Sequence, residues 1–315
     1  MKAGREVIRA GGVISLLTLL SRCLGLVRDM LMAALLGTGW VAGAFQLAWV
    51  VPNLLRRLLG EGALSAAFIP LFTATLQGED RERPRRFLGA AAGTLAALLL
   101  LLAGVGVLLL FLLPLSWWAG LFDKPGEVEG LRYAAHLRSL LAILLPYMVP
   151  VCLLALAGGA LQCRGRFALP ASAPLLLNLV WIAALLLGGM LLSLAPPALT
   201  LFLAGAVLLG GGLQLAAQLP LLRRCGLLVR PRLDPGDREV GRLARNMAPL
   251  AVGLAIFQVN TLLDQLIAVT LVPLEGPNTF LFYANRLFHF PLGPVGTAPA
   301  LASLPATSAL GLRGG

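Results

Sequence analysis

Charge is scarce in this chain of 315 residues: 12% of them are Asp, Glu, Lys or Arg, with 14 acids against 25 bases. A soluble domain of this length needs a polar shell that such a composition cannot supply. Cysteine and histidine are sparse as well, at four and two residues. Cys23, Cys152, Cys163 and Cys225 show no metal-ligand spacing and lie within or beside apolar runs. They read as small packing residues, so neither a metal site nor a disulfide framework is supported. His136 and His289 have no catalytic companion nearby in sequence, and each reads as a packed or interfacial side chain. The phosphate-binding G-x-x-x-x-G-K-[ST] loop, the G-x-S-x-G elbow, the H-E-x-x-H zinc motif and the EF-hand loop are all missing. Nothing therefore argues for an enzyme.

Apolar runs are what the chain has in abundance, with 58% hydrophobic residues and a mean hydropathy of +0.88. Stretches long enough to cross a bilayer, about 20 residues each, lie at 10–36, 40–76, 87–113, 139–161, 171–193, 198–222, 246–272 and 278–307. They are continuous and rich in Leu and Ala, without the alternation of a membrane β-barrel. The expected fold is an all-α, polytopic membrane protein of about eight helices. The first apolar stretch is too long for the core of a cleavable signal peptide and is expected to remain as the first span. Breakers such as Gly37-Thr38-Gly39, Asp123-Lys124-Pro125-Gly126, Pro196-Pro197 and Glu275-Gly276-Pro277 separate the spans.

The net charge of +11 raises the question of nucleic acid, and the position of the charges answers it. Lys2, Arg5 and Arg9 precede the first span, Arg81 to Arg86 follow the second, and Arg164 and Arg166 follow the fourth. Seven arginines from Arg223 to Arg245 lie between the sixth and seventh, while the alternate connections carry few bases. This bias is topological, and it puts both termini in the cytoplasm of a multi-pass protein. No nucleic-acid partner is expected, although the same charge suits anionic lipids of the cytoplasmic leaflet.

The hydrophilic stretch 223–245 is the best boundary between bundles. It divides the chain into a six-helix lobe (1–222), a cytoplasmic linker (223–245) and the first two helices of a second lobe (246–315). A weak internal echo supports this division: Asn53-Leu54-Leu55-Arg56 leading to Pro70 is matched by Asn285-Arg286-Leu287 leading to Pro305. On this reading the second unit stops early and the chain is expected to be C-terminally truncated.

Charges inside spans are expensive and usually functional. Arg22 and Arg28 fall in the first span, Arg56 and Arg57 in the second, and Arg286 in the eighth. Two readings are open. The arginines could snorkel or pair locally, Arg57 with Glu61 at i,i+4 and Arg22 with Asp29 at i,i+7. Alternatively they line a polar cavity, which Arg28 and Arg56 favour because spacing offers them no local partner. A cavity lined by planar, permanently charged guanidinium groups suits a multiply anionic cargo such as a diphosphate. Asp264 is the lone acid of the seventh span, one turn from Asn260. It is either a partner for one of the arginines or, with Asn260, a proton or sodium site.

Several blocks carry a family resemblance. They are Ser21-Arg22-Cys23-Leu24-Gly25-Leu26-Val27-Arg28-Asp29, Pro52-Asn53-Leu54-Leu55-Arg56-Arg57 running into Glu61-Gly62-Ala63-Leu64-Ser65, Arg166-Phe167-Ala168-Leu169-Pro170, Leu213-Gln214-Leu215-Ala216-Ala217-Gln218-Leu219-Pro220, and Tyr283-Ala284-Asn285-Arg286-Leu287. In this order they resemble the MurJ (MviN) lipid II flippases of the MATE-like MOP superfamily. The resemblance implies a transporter of the bacterial inner membrane that moves lipid II, the undecaprenyl-diphosphate-linked peptidoglycan precursor, by alternating access between two lobes. It also implies that Arg22, Arg28, Arg56, Arg57 and Arg286 contact the headgroup and that Asp29 and Glu61 support them. Asp264, with Asn260, would stand where sodium-coupled members hold an ion, so Na+ or H+ is the expected coupling ion and no other cofactor is expected. Two departures stand out: Gly43 precedes Ala44-Phe45 where many members carry an acid, and eight spans fall short of the family's about fourteen. The competing readings are an exporter of another polyprenyl-diphosphate glycan or of a drug, and a truncated membrane scaffold that does not transport.

Overall fold

The computed structural model describes residues 2–57, 63–122, 130–234, 236–272 and 276–286, with side chains from residue 12 onward except Phe257. Among the described residues every regular element is a helix. In chain order these are α1 (Lys2–Leu36), α2 (Trp40–Leu55), α3 (Ala63–Gln77), α4 (Arg83–Leu112), α5 (Leu115–Phe122), α6 (Gly130–Leu144), α7 (Met148–Gln162), α8 (Ala168–Leu185), α9 (Pro196–Arg224) and α10 (Arg238–Leu271). Residues 277–286 form a further helix, α11.

The helix ends follow local chemistry. α1 stops at Gly37, which takes φ +65°, a left-handed conformation open to glycine at little cost. α4 and α9 begin with proline in the first turn, where its missing N–H is no loss. Asp237 caps α10, its carboxylate accepting from the Glu239 and Val240 N–H groups. Leu145–Tyr147, which contains Pro146, is a 3-10 turn joining α6 to α7 without a break, and α8 runs on as a π-helix through Leu191.

Among the described residues five helical stretches are long and apolar enough to cross a membrane: α4, α6 with α7, α8 with its extension, α9 and α10. The expectation of an all-α membrane protein is met. Three predicted spans differ in detail. α1 has 35 residues, about 50 Å at 1.5 Å per residue, and exceeds its predicted core. The predicted second span, 40–76, is described as α2 and α3, of 16 and 15 residues, on either side of residues that lie outside the described set. Pro52 and Pro70 each remove a backbone donor there, while Gly60, Glu61 and Gly62 lie outside the described residues. The eighth span is described only to Arg286, and His289 lies outside the described residues. α5 was not anticipated. Its eight residues are too short to register as a span, and its Trp117-Trp118 pair is typical of a bilayer interface.

Burial sorts the helices. The spanning window of α6 and α7 is 56% buried and that of α4 is 17%, so α6–α7 is central and α4 peripheral. Leu98, Leu100, Leu101, Leu108 and Leu112 of α4 are exposed, as a lipid-facing helix requires. One core cluster gathers Phe45, Tyr147, Trp181, Leu140, Leu144 and Leu203. A second, toward the arginine-rich end, is built on Phe68, Phe72 and Phe87, with Phe68 and Phe72 stacked at 4.9 Å.

At that end the segment from α9 to α10 lies flat on α4. The Arg232 N–H donates to Gly89 O at 2.9 Å. A Cβ on Gly93 would stand 2.1 Å from Arg232 O, so glycine is required for this close approach. Arg83 and Glu239 form an ion pair that ties α4 to α10. From there α10 packs mainly on α3, and also on α2 and α4.

Candidate functional site

α1 and α11 meet at one carboxylate, and α8 holds one of its partners. Asp29 is 3% exposed, and a carboxylate that deep must be paired. Its Oδ1 accepts from Arg28 Nε at 2.9 Å and Arg28 Nη2 at 2.7 Å. Its Oδ2 stands 2.6 Å from Arg286 Nε, an ion pair by distance but without the alignment of a hydrogen bond. Two guanidinium groups from opposite ends of the chain thus share one acid, which leaves the cluster with net positive charge.

Gly25 makes this meeting possible. A Cβ there would lie 2.6 Å from Arg286 Nη2, so the guanidinium reaches Asp29 across the bare backbone of α1. Arg28 is held from α8 as well. Its Nη1 donates to Asn178 Oδ1 at 3.1 Å, and its Cζ lies 4.5 Å from the Trp181 ring centroid. Asn178 in turn donates from Nδ2 to Ser21 O at 2.9 Å. Behind Trp181 the rings continue inward: Trp49 meets it edge to face at 5.0 Å, and Tyr147 lies 5.4 Å beyond Trp49.

The remaining predicted residues are placed less centrally. Arg56 is half-buried, with Nε and Nη2 donating to Asn53 Oδ1 at 3.1 and 3.0 Å. Arg22 and Arg57 are exposed. Glu61, the predicted partner of Arg57, lies outside the described residues. The local Arg22–Asp29 pairing, one of the two readings left open by the sequence, does not form, and Asp29 pairs instead with Arg28 and Arg286. Residues seven apart share a face but stand about 10 Å apart along the axis, whereas Arg28 folds back onto its neighbour and Arg286 arrives from another helix. Asp264 and Asn260 share an exposed face of α10, while Gln258 and Gln265 face inward. Asp264 forms no ion pair among the described residues, so the structure does not bring it to the arginines.

A second junction between α11 and the first helices lies at the arginine-poor end. Asn278, fully buried, donates from Nδ2 to Gly43 O at 2.7 Å. Gly276 has φ +59°, and a Cβ on it would fall 2.1 Å from Thr38 O and 2.7 Å from Gly39 O. A Cβ on Gly43 would meet Asn278 Oδ1 at 2.8 Å. Backbone thus lies directly on backbone along this seam. Sequence reasoning missed Asn178, Trp181 and Asn278, and read Gly276 only as a breaker between spans. A lone amide within an apolar run, as Asn178 is, was the signal available for the first. His136 is a packed residue, with Nε2 2.9 Å from Thr200 Oγ1 and Trp40 edge-on at 5.7 Å.

Chemically, the cluster presents fixed donors to an anion. A guanidinium has five N–H donors, and Arg28 commits three of them, leaving one each on Nη1 and Nη2 with no acceptor among the described residues. Such a two-pronged donor matches a phosphate or carboxylate.

The family model described as lipid II flippase MurJ matches residues 32–311. The chain is 37% identical to the probable lipid II flippase MurJ of Haemophilus influenzae over 297 residues, covering 92% of this chain and 56% of that protein. It is 36% identical to the corresponding Vibrio cholerae protein, covering 96% and 57%, and 32% identical to the lipid II flippase MurJ of Burkholderia cenocepacia, covering 96% and 57%. The chain thus spans about half the length of the curated relatives it matches. In fold it is similar to a solved lipid II flippase MurJ in an inward closed conformation, with a TM-score of 0.69 at 23% identity over 89% of this chain and 55% of that one. It is also similar in fold to a MOP superfamily transporter from Pyrococcus furiosus, with a TM-score of 0.52 at 16% identity over 79% and 52%.

Proposed function

The chain belongs to the lipid II flippase MurJ family, and from that premise we propose that it binds the diphosphate-linked headgroup of lipid II and takes part in moving this precursor across the bacterial inner membrane. The observation that carries the proposal is the buried Asp29, shared by Arg28 of α1 and Arg286 of α11. In this reading Arg22, Arg28, Arg56, Arg57 and Arg286 form the anion-binding set, with Asp29 and Glu61 holding it in register. Guanidinium groups suit the role because a diphosphate offers several oxygens to two-pronged donors at any physiological pH. The activity is transport, without a covalent step.

The organisation proposed is a six-helix lobe over 1–222, a cytoplasmic linker over 223–245, and the first helices of a second lobe over 246–315. The N-terminus is cytoplasmic, since the arginine-rich end belongs inside and there meets anionic lipid. The Asn278–Gly43 seam then closes the far end, while the arginines await cargo from the near one, as alternating access requires. Asp264 and Asn260 are the candidates for a coupling Na+ or H+.

Binding of lipid II to the protein in nanodiscs tests the proposal. Arg28→Ala and Arg286→Ala are each expected to weaken binding by roughly tenfold or more, the order expected for a lost hydrogen bond to a charged group. Unchanged affinity in both variants would refute it. Tighter binding of a different polyprenyl-diphosphate glycan in competition would favour the related-exporter reading.

A further inference from the structure

We propose that Asn178 and Trp181, three residues apart on α8, are positioning residues that set the direction in which Arg28 presents its two uncommitted N–H donors to a diphosphate. The inference rests on the reading of Arg28 as a diphosphate ligand.

An arginine held only by Asp29 would keep considerable freedom. The carboxylate fixes one edge of the guanidinium, through Nε and Nη2, and the group could still swing out of plane about that edge. Trp181 prevents the swing. Its ring lies 4.5 Å from Cζ and covers one face of the cation. The indole is itself immobile, 2% exposed and braced edge to face by Phe45 at 5.8 Å and Trp49 at 5.0 Å.

Asn178 supplies the third constraint, its Oδ1 accepting from Nη1 at 3.1 Å. The amide cannot rotate to offer its other end. Nδ2 is engaged by Ser21 O at 2.9 Å, with Ser21 Oγ at 3.4 Å, and a flip would turn a donor toward a cation and an acceptor toward a carbonyl. For filling space in this apolar run a leucine would serve as well as an asparagine. The amide is explained by what each end touches. Edge, face and tip of the guanidinium are therefore all held, and the two remaining donors, one on each Nη, keep a fixed bearing. That is preorganisation of a ligand-binding group by residues that need not touch the ligand.

The test separates the position of Arg28 from its use. Trp181 emission is isolated by subtracting the spectrum of Trp181→Phe from that of the unmodified chain. It reports on the cation over the ring without any ligand. Arg28→Ala is expected to shift it, and Asn178→Leu, which removes the tip constraint, is expected to shift it in the same direction. Binding of undecaprenyl diphosphate in nanodiscs is then measured. Asn178→Leu and Trp181→Leu are expected to weaken it on the order of tenfold, whereas Trp181→Phe, which keeps a π face, should stay within about threefold. Trp181→Phe also keeps the ring volume, and together with Asn178→Leu it carries the test if Trp181→Leu does not fold. Trp181 emission unmoved by Asn178→Leu, or affinity unmoved by it while Arg28→Ala abolishes binding, would overturn the positioning role. Failure of the unmodified protein to bind, with the emission shifts intact, would instead overturn the diphosphate reading and the ligand half of this proposal with it.

Discussion

Substituting Gly25 with alanine probes the meeting of α1 and α11 with a single methyl group. The new Cβ would stand 2.6 Å from Arg286 Nη2, inside any normal contact distance. The obstructing atom is the tip of a flexible side chain that is 43% exposed, so Arg286 withdraws and the backbone of α1 stays in place. Alanine favours a helix over glycine by about 0.8–1.0 kcal/mol. Against this, Asp29 Oδ2 loses its cation while buried, at a cost of about 1–3 kcal/mol. Arg28 continues to pair Oδ1, which spares the larger penalty of a wholly unpaired buried charge. The net expectation is a loss of about 0–2 kcal/mol. The sharper signature is a double-mutant cycle with Arg286→Gln, read by equilibrium unfolding in detergent. With the guanidinium already gone, Gly25→Ala has nothing to displace and should become stabilising by about 0.8–1.0 kcal/mol. An equal cost in both backgrounds would refute the view that Gly25 exists to admit Arg286.

Three further outcomes are expected. Gly276→Ala should be more damaging than Gly25→Ala, because its Cβ meets the Thr38 carbonyl, a backbone atom, and its φ of +59° disfavours a side chain. Faster labelling of Thr38→Cys by an impermeant thiol reagent, in a Cys23→Ser background, would report the loosened seam. Gly93→Ala should lift the α9–α10 segment from α4, since the obstruction is the Arg232 backbone, and trypsin cleavage after Arg232 should accelerate. The Asp80 carboxyl is held below its ordinary value chiefly by the Glu82 N–H, with Arg86 contributing. Its contribution to loop order is therefore full above the ordinary aspartate value of about 3.9 and is lost as pH falls through the depressed one. The protection of the Glu82 amide against exchange, taken relative to its intrinsic rate at each pH, should fall over that range and stay unchanged there in Asp80→Asn.

What could be read from the sequence was whatever depends on local pattern. Continuous Leu/Ala runs made the helices and the membrane evident, Gly37 and Gly276 marked turns, and arginines inside spans marked the segments that carry the proposed anion site. What escaped depended on which chains meet. Spacing along α1 paired Asp29 with Arg22, because i,i+7 arithmetic knows only one helix; the true partners were the adjacent residue and one 257 positions away. The role of Asn178 is invisible without its contact 150 residues upstream. The face on which Asp264 sits is set by how α10 packs on α3, which a lone acid in an apolar run cannot report. The second span was read as single because apolar residues dominate from Trp40 to Leu76 on both sides of Arg56 and Arg57, although Pro52 and Pro70 each remove a backbone donor within it.

The segment lying flat on α4 has a mechanical consequence. With no side chain between Gly93 and the Arg232 backbone, and with Arg83 gripping Glu239 just beyond, the base of α10 has no slack. It is a fulcrum. α10 then acts as a lever of 34 residues, about 50 Å long, so a tilt of about 10° at the base displaces its far end by about 9 Å. That far end leads toward Gly276, whose backbone lies against the Thr38 and Gly39 carbonyls, and Asn278, whose side chain donates to Gly43 O. A displacement of that size would exceed the 2.7 Å hydrogen bond from Asn278 to Gly43 O several-fold.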